Sequence, residues 1–103
     1  MGLDPLARIR ECVLIRVRVE VFGTLRDKLG WREKVLELPL NNATLADVLN
    51  ALPDLKQYVV RDGDIAEGFL VFINGIHAQF RGKLRARVRD GDEVAVFPPG
   101  AGG

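Results

Sequence analysis

The residues with the clearest chemical potential are Pro98-Pro99-Gly100-Ala101-Gly102-Gly103, at the end of the sequence. A terminal Gly103 presents an α-carboxylate with a reference pKa of about 3.3–3.7, ionised at neutral pH and unshielded by any side chain. Gly102 and Gly103 together make a slim, conformationally free end able to enter a narrow channel on another protein. The two prolines before them cannot donate to a sheet ladder and hold φ near a fixed value, so strand pairing must stop there and the chain must project outward. Glycine-rich ends are most often simply frayed. Here, however, the tail is joined without a linker to Val94-Ala95-Val96-Phe97, which reads as a strand. The combination points to a terminus carried on a folded mount and handed to partner enzymes with a reactive group on it.

No other part of the chain assembles a catalytic or metal site. His77 is the only histidine, follows a turn and has no nearby Cys or His, which argues against a metal role. Asp90, Asp92 and Glu93 are ordinary turn chemistry and lack the further ligands of a calcium loop. Cys12 could relay sulfur, but it lies far from the tail in sequence and reads better as a packed or simply free thiol. No Ser-His-Asp constellation, phosphate loop or pair of carboxylates in a cleft can be argued, so the chain is not expected to catalyse alone.

The elements that must hold the tail follow from periodicity. From Val13 to Phe22, Val13, Ile15, Val17, Val19 and Val21 alternate with Arg16, Arg18 and Glu20, a strand with one buried face. Gly23 ends it, and Thr24 to Asp27 resembles a capping box opening a helical turn that closes at Gly30. Trp31 to Leu38 reads as a second strand, confined by Pro39 to a strand end or sheet edge. After the turn residues Asn41-Asn42, Thr44 and Asp47 form a second cap. Leu45, Val48, Leu49 and Leu52 then lie on one stripe of an amphipathic helix that Pro53 ends. Asp54 to Gly68 reads as a short helical turn and a loop, with Asp62-Gly63 as a turn. Phe69 to Ile73 is a third strand, and Asn74-Gly75 is the dipeptide a type I′ hairpin turn demands, so Ile76 to Phe80 should return beside it. Arg81, Lys83, Arg85, Arg87 and Arg89 alternate with Leu84, Ala86 and Val88, suggesting an extended segment with a wholly cationic face. Glu93 to Phe97 is the final strand.

This order describes an α+β domain, a mixed sheet with one main helix packed on one face, in which the first and last strands run parallel and the tail leaves a central strand. Its expected divisions are an N-terminal extension over 1–12, the domain over 13–97 and the tail over 98–103. A chain of 103 residues with 48% apolar content supports one core. A net charge of +1 argues against bulk binding to nucleic acid or anionic membranes. The single cysteine fits a reducing compartment, and no apolar run approaches the roughly 20 residues of a membrane span, so a cytoplasmic protein is the expectation.

The ending Asp90-Gly91-Asp92-Glu93-Val94-Ala95-Val96-Phe97-Pro98-Pro99-Gly100-Ala101-Gly102-Gly103 resembles the MoaD/ThiS family of ubiquitin-like sulfur carriers, and within it most closely the small subunits of molybdopterin synthase. The resemblance runs from about Val13 onward through Phe22-Gly23, the Thr44 helix and Ile73-Asn74-Gly75. It implies the β-grasp fold and an E1-like (MoeB-like) enzyme that uses ATP to adenylate Gly103, with no cofactor permanently bound to the chain itself. A sulfur donor would convert the adenylate to a thiocarboxylate, which a MoaE-like large subunit would receive and use to sulfurate a pyranopterin precursor in molybdenum cofactor biosynthesis. A carboxylate is a poor electrophile; AMP supplies a leaving group, and a glycyl carbon is little hindered. Two other outcomes share the activation step: a ubiquitin-like modifier of the small archaeal type, joined to lysines through Gly103, and a ThiS-like carrier for thiazole synthesis.

For partner binding, Phe97, Pro98, Pro99, Gly100 and Ala101 lead into the tail, and Phe97 should lie near Phe22 or Phe72 on the sheet face away from the helix. Exposed aromatics there would mark a partner surface; the alternative is that the N-terminal extension or a loop covers them. The Arg81 to Arg89 stripe is either a solvated face or a site for an acidic partner. Bases would have no interleaved aromatic to stack on, which argues against nucleic acid.

Overall fold

The computed structural model describes residues 14–39 and 43–100. The expected extension over 1–12 with Cys12, the turn residues Asn41-Asn42, and Ala101, Gly102 and Gly103 lie outside the described residues. Strand β1, Leu14–Val21, buries Ile15, Val17, Val19 and Val21 and turns Leu14, Arg16 and Arg18 outward, as its alternation requires. Helix α1, Thr24–Leu29, closes on Gly30 in the left-handed region, its N–H donating to Arg26 O. Its N-cap is Gly23 with no side-chain bond, so the expected capping box at Thr24 is not formed. The chain leaves β1 so sharply that Gly23 takes φ +59°, which places Thr24 already inside the first turn.

Strand β2, Glu33–Pro39, pairs antiparallel with β1 and forms a sheet edge, where a proline is tolerated. Trp31 precedes it. Helix α2, Leu45–Asn50, carries the expected cap in full: Thr44 N donates to Asp47 Oδ2 at 3.0 Å and Asp47 N to Thr44 Oγ1 at 3.3 Å, an arrangement whose loss costs about 1 kcal/mol. Leu45, Val48, Leu49 and Leu52 are buried. The helix ends before Pro53 as expected, and the short helical turn expected beyond it is a two-turn helix, α3, Pro53–Val59, which starts on Pro at its first position, where the missing N–H is not needed.

The expected loop after α3 contains a small hairpin, β3 (Val60–Arg61) and β4 (Asp64–Ile65), turning on Asp62 and Gly63 at φ 55° and 79°. Strand β5, Leu70–Ile73, turns at Asn74 and Gly75, with φ 51° and 81°, into β6, Ile76–His77. The return is shorter than expected, because Ala78–Phe80 winds into a 3₁₀ turn that buries Ala78. The supposed extended run from Arg81 is likewise interrupted. Gly82 and Lys83 adopt φ 105° and 55°, and Lys83–Arg85 form a second 3₁₀ turn; only from Ala86 is the chain extended. Strand β7, Glu93–Phe97, completes a five-stranded sheet of order β2-β1-β7-β5-β6, parallel to β1 and antiparallel to β5. The core lies between one face of this sheet and helices α2 and α3, with Val94 and Val96 pointing into it. Among the described residues no helix is long and apolar enough to cross a membrane.

Trp31 ties the β2 side to the helices: its Nε1–H donates to Asp54 Oδ2 at 2.9 Å, and Lys34 Nζ lies 4.8 Å over its ring. The indole bond is the main reason that Asp54 titrates below its ordinary value, against a partial desolvation that pushes the other way. A carboxyl pKa depressed by folding stabilises in full above the unfolded value of about 3.9 and loses that contribution as pH falls through the folded one. The stability gap between the parent and Asp54→Asn is therefore expected to be constant above about pH 5 and to shrink on further acidification. A gap independent of pH in chemical denaturation would show that the carboxylate gains nothing from folding.

Candidate functional site

The root of the tail emerges from the middle of the sheet. Phe97 is the last residue of β7 and pairs with Leu70 of β5, while Phe22 N donates to Val96 O at 3.1 Å. Beyond the strand, Pro98 is buried and Pro99 and Gly100 are exposed. Two glycines let the prolines in. A Cβ on Gly23 would stand 3.2 Å from Pro98 Cγ, and one on Gly68 only 2.6 Å from Pro99 Cβ. Both glycines also have positive φ, +59° and +89°, where an L side chain is strained. Gly23 and Gly68 thus form a cradle that fixes the direction in which Gly100 departs.

Beside the cradle, a cleft of about 280 Å³ runs between α1, α3 and the prolines, with Tyr58 and Phe69 in its wall and Lys28 and Arg61 at its rim. Lys28 Nζ lies 5.2 Å from the Tyr58 ring centroid. On the opposite side, the sheet face turned away from the helices carries an aromatic cluster. Phe22 and Phe97 stack at 4.3 Å with planes 7° apart, and Phe72 meets Phe97 edge-on at 5.8 Å. The expected neighbours of Phe97 are thus both in place. His77 extends the row, 5.2 Å from Phe72 and 6.0 Å from Phe80, and its Nδ1 accepts the Gln79 N–H at 3.1 Å. Phe80 is 75% exposed, with Leu70 and Ile76 also open to solvent. Arg26 backs the cluster: its Nε donates to Val21 O at 2.8 Å and its guanidinium lies 5.0 Å over the Phe22 ring.

The apolar half of this face stops abruptly. Arg18 lies between Glu33 and Glu93, 3.4 Å from each, and Arg16 is 3.4 Å from Glu37. These exposed pairs contribute little to stability; they bound the apolar patch and leave it next to the tail. Among the described residues no three His, Cys, Asp or Glu side chains converge to hold a metal. The arrangement offers an apolar docking face beside the root of the tail.

Gly23, Gly68, Arg26, Leu70 and Phe80 were not singled out in the sequence as site residues. The cue for Gly23 is a glycine wedged between the last aromatic of a strand and the first turn of a helix; Gly68 and Phe80 give no comparable cue, since Gly68 lies in an irregular connection and Phe80 in a 3₁₀ turn whose conformation the residue pattern does not fix.

The sequence profile of the ThiS family matches residues 19–103. A putative sulfur carrier protein of Archaeoglobus fulgidus is 38% identical over 50 residues, which is 48% of this chain and 57% of that protein, so this chain matches little more than half the length of that relative. Small archaeal modifier protein 3 of Haloferax volcanii is 29% identical over 93 residues, 86% of this chain and 100% of the relative. Among solved structures, small archaeal modifier protein 1 of Methanosarcina acetivorans superposes with a TM-score of 0.71 at 28% identity, covering 87% of this chain and 98% of that one. A putative molybdopterin converting factor subunit 1 from Pyrococcus furiosus gives 0.64 at 26%, covering 82% and 98%.

Proposed function

Because this chain belongs to the ThiS/MoaD family of ubiquitin-like sulfur carriers, we propose that its Gly103 α-carboxylate is adenylated by an E1-like enzyme and converted to a thiocarboxylate that delivers sulfur as the small subunit of a molybdopterin synthase. The observation that carries the reading is the tail root: a strand from the centre of the sheet, released through Pro98 and Pro99 between Gly23 and Gly68, beside the half-buried Phe22, Phe72 and Phe97. Adenylation joins a carboxylate oxygen to the α-phosphate of ATP and expels pyrophosphate; sulfide then attacks the acyl carbon and AMP leaves, or a persulfide attacks to give an acyl disulfide, which a second thiol cleaves to the thiocarboxylate while forming a disulfide with the donor's sulfur. Two glycines supply almost no binding energy, so the partner's grip must come from the domain. The Phe22, Phe72 and Phe97 face is the surface suited to that grip, both for the activating enzyme and for a MoaE-like subunit that receives the thiocarboxylate.

A second reading has its own support. Two relatives of nearly full coverage are named small archaeal modifier proteins, and a modifier would use the same adenylate for attack by a lysine amine, forming an isopeptide. Mass spectrometry of the chain isolated from its own cells separates the two. A gain of about 16 Da, oxygen exchanged for sulfur, is expected for a carrier. Lysines of unrelated proteins carrying the tryptic remnant Asp90 to Gly103 through an isopeptide, without that gain, would assign the chain to protein modification. Neither product, in cells actively making the pterin cofactor, would sink both readings.

A further inference from the structure

Neither the tail nor the aromatic face uses the cationic run from Arg81 to Arg89. All five of its charged side chains are exposed. Lys83 has a carboxylate partner, Asp64 Oδ2 at 3.5 Å, but Arg81, Arg85, Arg87 and Arg89 have none among the described residues. The nearest acids in sequence are engaged elsewhere: Asp90 Oδ1 accepts Arg16 N at 2.9 Å, and Asp92 accepts Arg89 N and Asn74 Nδ2, each at 2.8 Å.

The backbone beneath these arginines is fixed. Leu45 N donates to Ala86 O at 2.8 Å and Val88 N to Ala43 O at 3.0 Å, which makes Arg87 the antiparallel bridge partner of Thr44. Ala86 and Val88 are buried, at 0% and 3% exposure, so Arg87 and Arg89 share the outer side of the extended stretch, and Arg85, the last residue of the 3₁₀ turn, stands exposed just before them. In extended chain, alternate residues on one side stand about 6.6 Å apart. Because Thr44 and Arg87 face each other across a non-hydrogen-bonded pair, the N–H and C=O of Arg87 point to the opposite, outer edge, where no backbone or side-chain partner meets them among the described residues.

We propose that Arg85, Arg87 and Arg89 form a docking strip for an extended acidic segment of a partner protein. Carboxylates at every second residue of that segment meet the guanidiniums, and its backbone exchanges a pair of hydrogen bonds with Arg87. Charge complementarity and the unpaired edge select this occupant. Planar guanidiniums suit carboxylates, and a free strand edge is read by another strand. A nucleic acid would use the charges but not the edge, and no aromatic is interleaved between 81 and 89 for a base to stack on. The strip ends at the turn that opens β7, whereas the tail leaves the other end of that strand, about 17 Å away along the chain. One partner can therefore hold the strip while another works on Gly103.

The test is fluorescence anisotropy with the full chain and a labelled eight-residue peptide of alternating Glu and Thr. Three comparison ligands accompany it: the Gln-Thr peptide, the Glu-Thr peptide N-methylated at every second residue, and a uridine oligonucleotide. Binding of the Glu-Thr peptide is expected to weaken at least about tenfold from 50 to 300 mM salt. It should also weaken about tenfold or more in R85E/R87E/R89E, and severalfold in R87Q, with melting temperatures unchanged. Deletion of Gly102 and Gly103 should leave it untouched. Equal binding by the triple variant would remove the strip as the site. Equal binding of the N-methylated peptide would remove the strand pairing, and tighter binding of the oligonucleotide, lost in R87Q, would reassign the strip to nucleic acid.

Discussion

Deletion of Gly102 and Gly103 is expected to reduce thiocarboxylate formation by at least about a hundredfold, while the melting temperature stays within about 1 °C of the full chain. The two halves of that expectation have separate origins. Loss of loading follows from reach: the chain would end at Ala101, two residues or about 7 Å short in extended form, and the acyl carbon could not meet the phosphorus of ATP in a site shaped for the longer tail. Retained stability follows from the core: among the described residues its buried hydrophobic side chains run from Ile15 to Val96, and Pro98, the one buried residue beyond them, is kept in the deletion. The measurement pairs intact-mass analysis after incubation with the activating enzyme, ATP and a sulfur source with calorimetry of the same sample. A fall of several degrees would show that the glycines pack against the domain, and undiminished loading would remove them from the chemistry.

Gly68→Ala is the second large effect, and it acts at a distance from the reacting carbon. The added methyl would lie 2.6 Å from Pro99 Cβ, closer than real carbons approach, and Pro99 is too rigid to fold aside. The tail root must shift. A misplacement of about 1 Å far from the chemistry can cost about a hundredfold in rate, so kcat/KM for adenylation is expected to fall roughly 10–100-fold. An L residue at φ +89° also costs about 1–2 kcal/mol of stability. Gly63→Ala separates these effects, because Gly63 has a similar φ of +79° but nothing within 4 Å of its Cβ position. Both variants should melt lower, but only Gly68→Ala should load slowly. Equal loading by the two would mean that the cradle does not aim the tail.

The parts of this architecture that sequence reveals are those in which side-chain pattern and backbone agree. The alternation from Ile15 to Val21 is a strand because one face is buried, and Asn74-Gly75 is a turn because both residues tolerate positive φ. The meeting of Phe97 with Phe22 follows from the parallel pairing of the first and last strands, and that with Phe72 from the antiparallel pairing of β7 with β5. Pattern and backbone part company from Ile76 to Arg89. Ala86 and Val88 are buried and Leu84 half-buried there although Gly82 and Lys83 bend the chain into a 3₁₀ turn, since a turn can also direct every second residue inward. Pro53 was ambiguous for a different reason: the same missing N–H forbids a helix interior and suits a helix start. The cradle was the least legible part of the site, because a glycine letter does not tell which distant atom lies where its side chain would be. Gly68 is separated from Pro99 by thirty-one positions and meets it only once β5 and β7 have paired.

The placement of β7 between β1 and β5 also has a mechanical consequence. A partner that pulls on the terminus applies its force along β7, which is bonded over four residues to β1 on one side and over four to β5 on the other. That load is borne in shear by both ladders at once rather than by peeling one bond at a time, so the domain resists traction through the very strand by which it is held. A motor threading this chain from its glycine end would meet its steepest barrier at the first step.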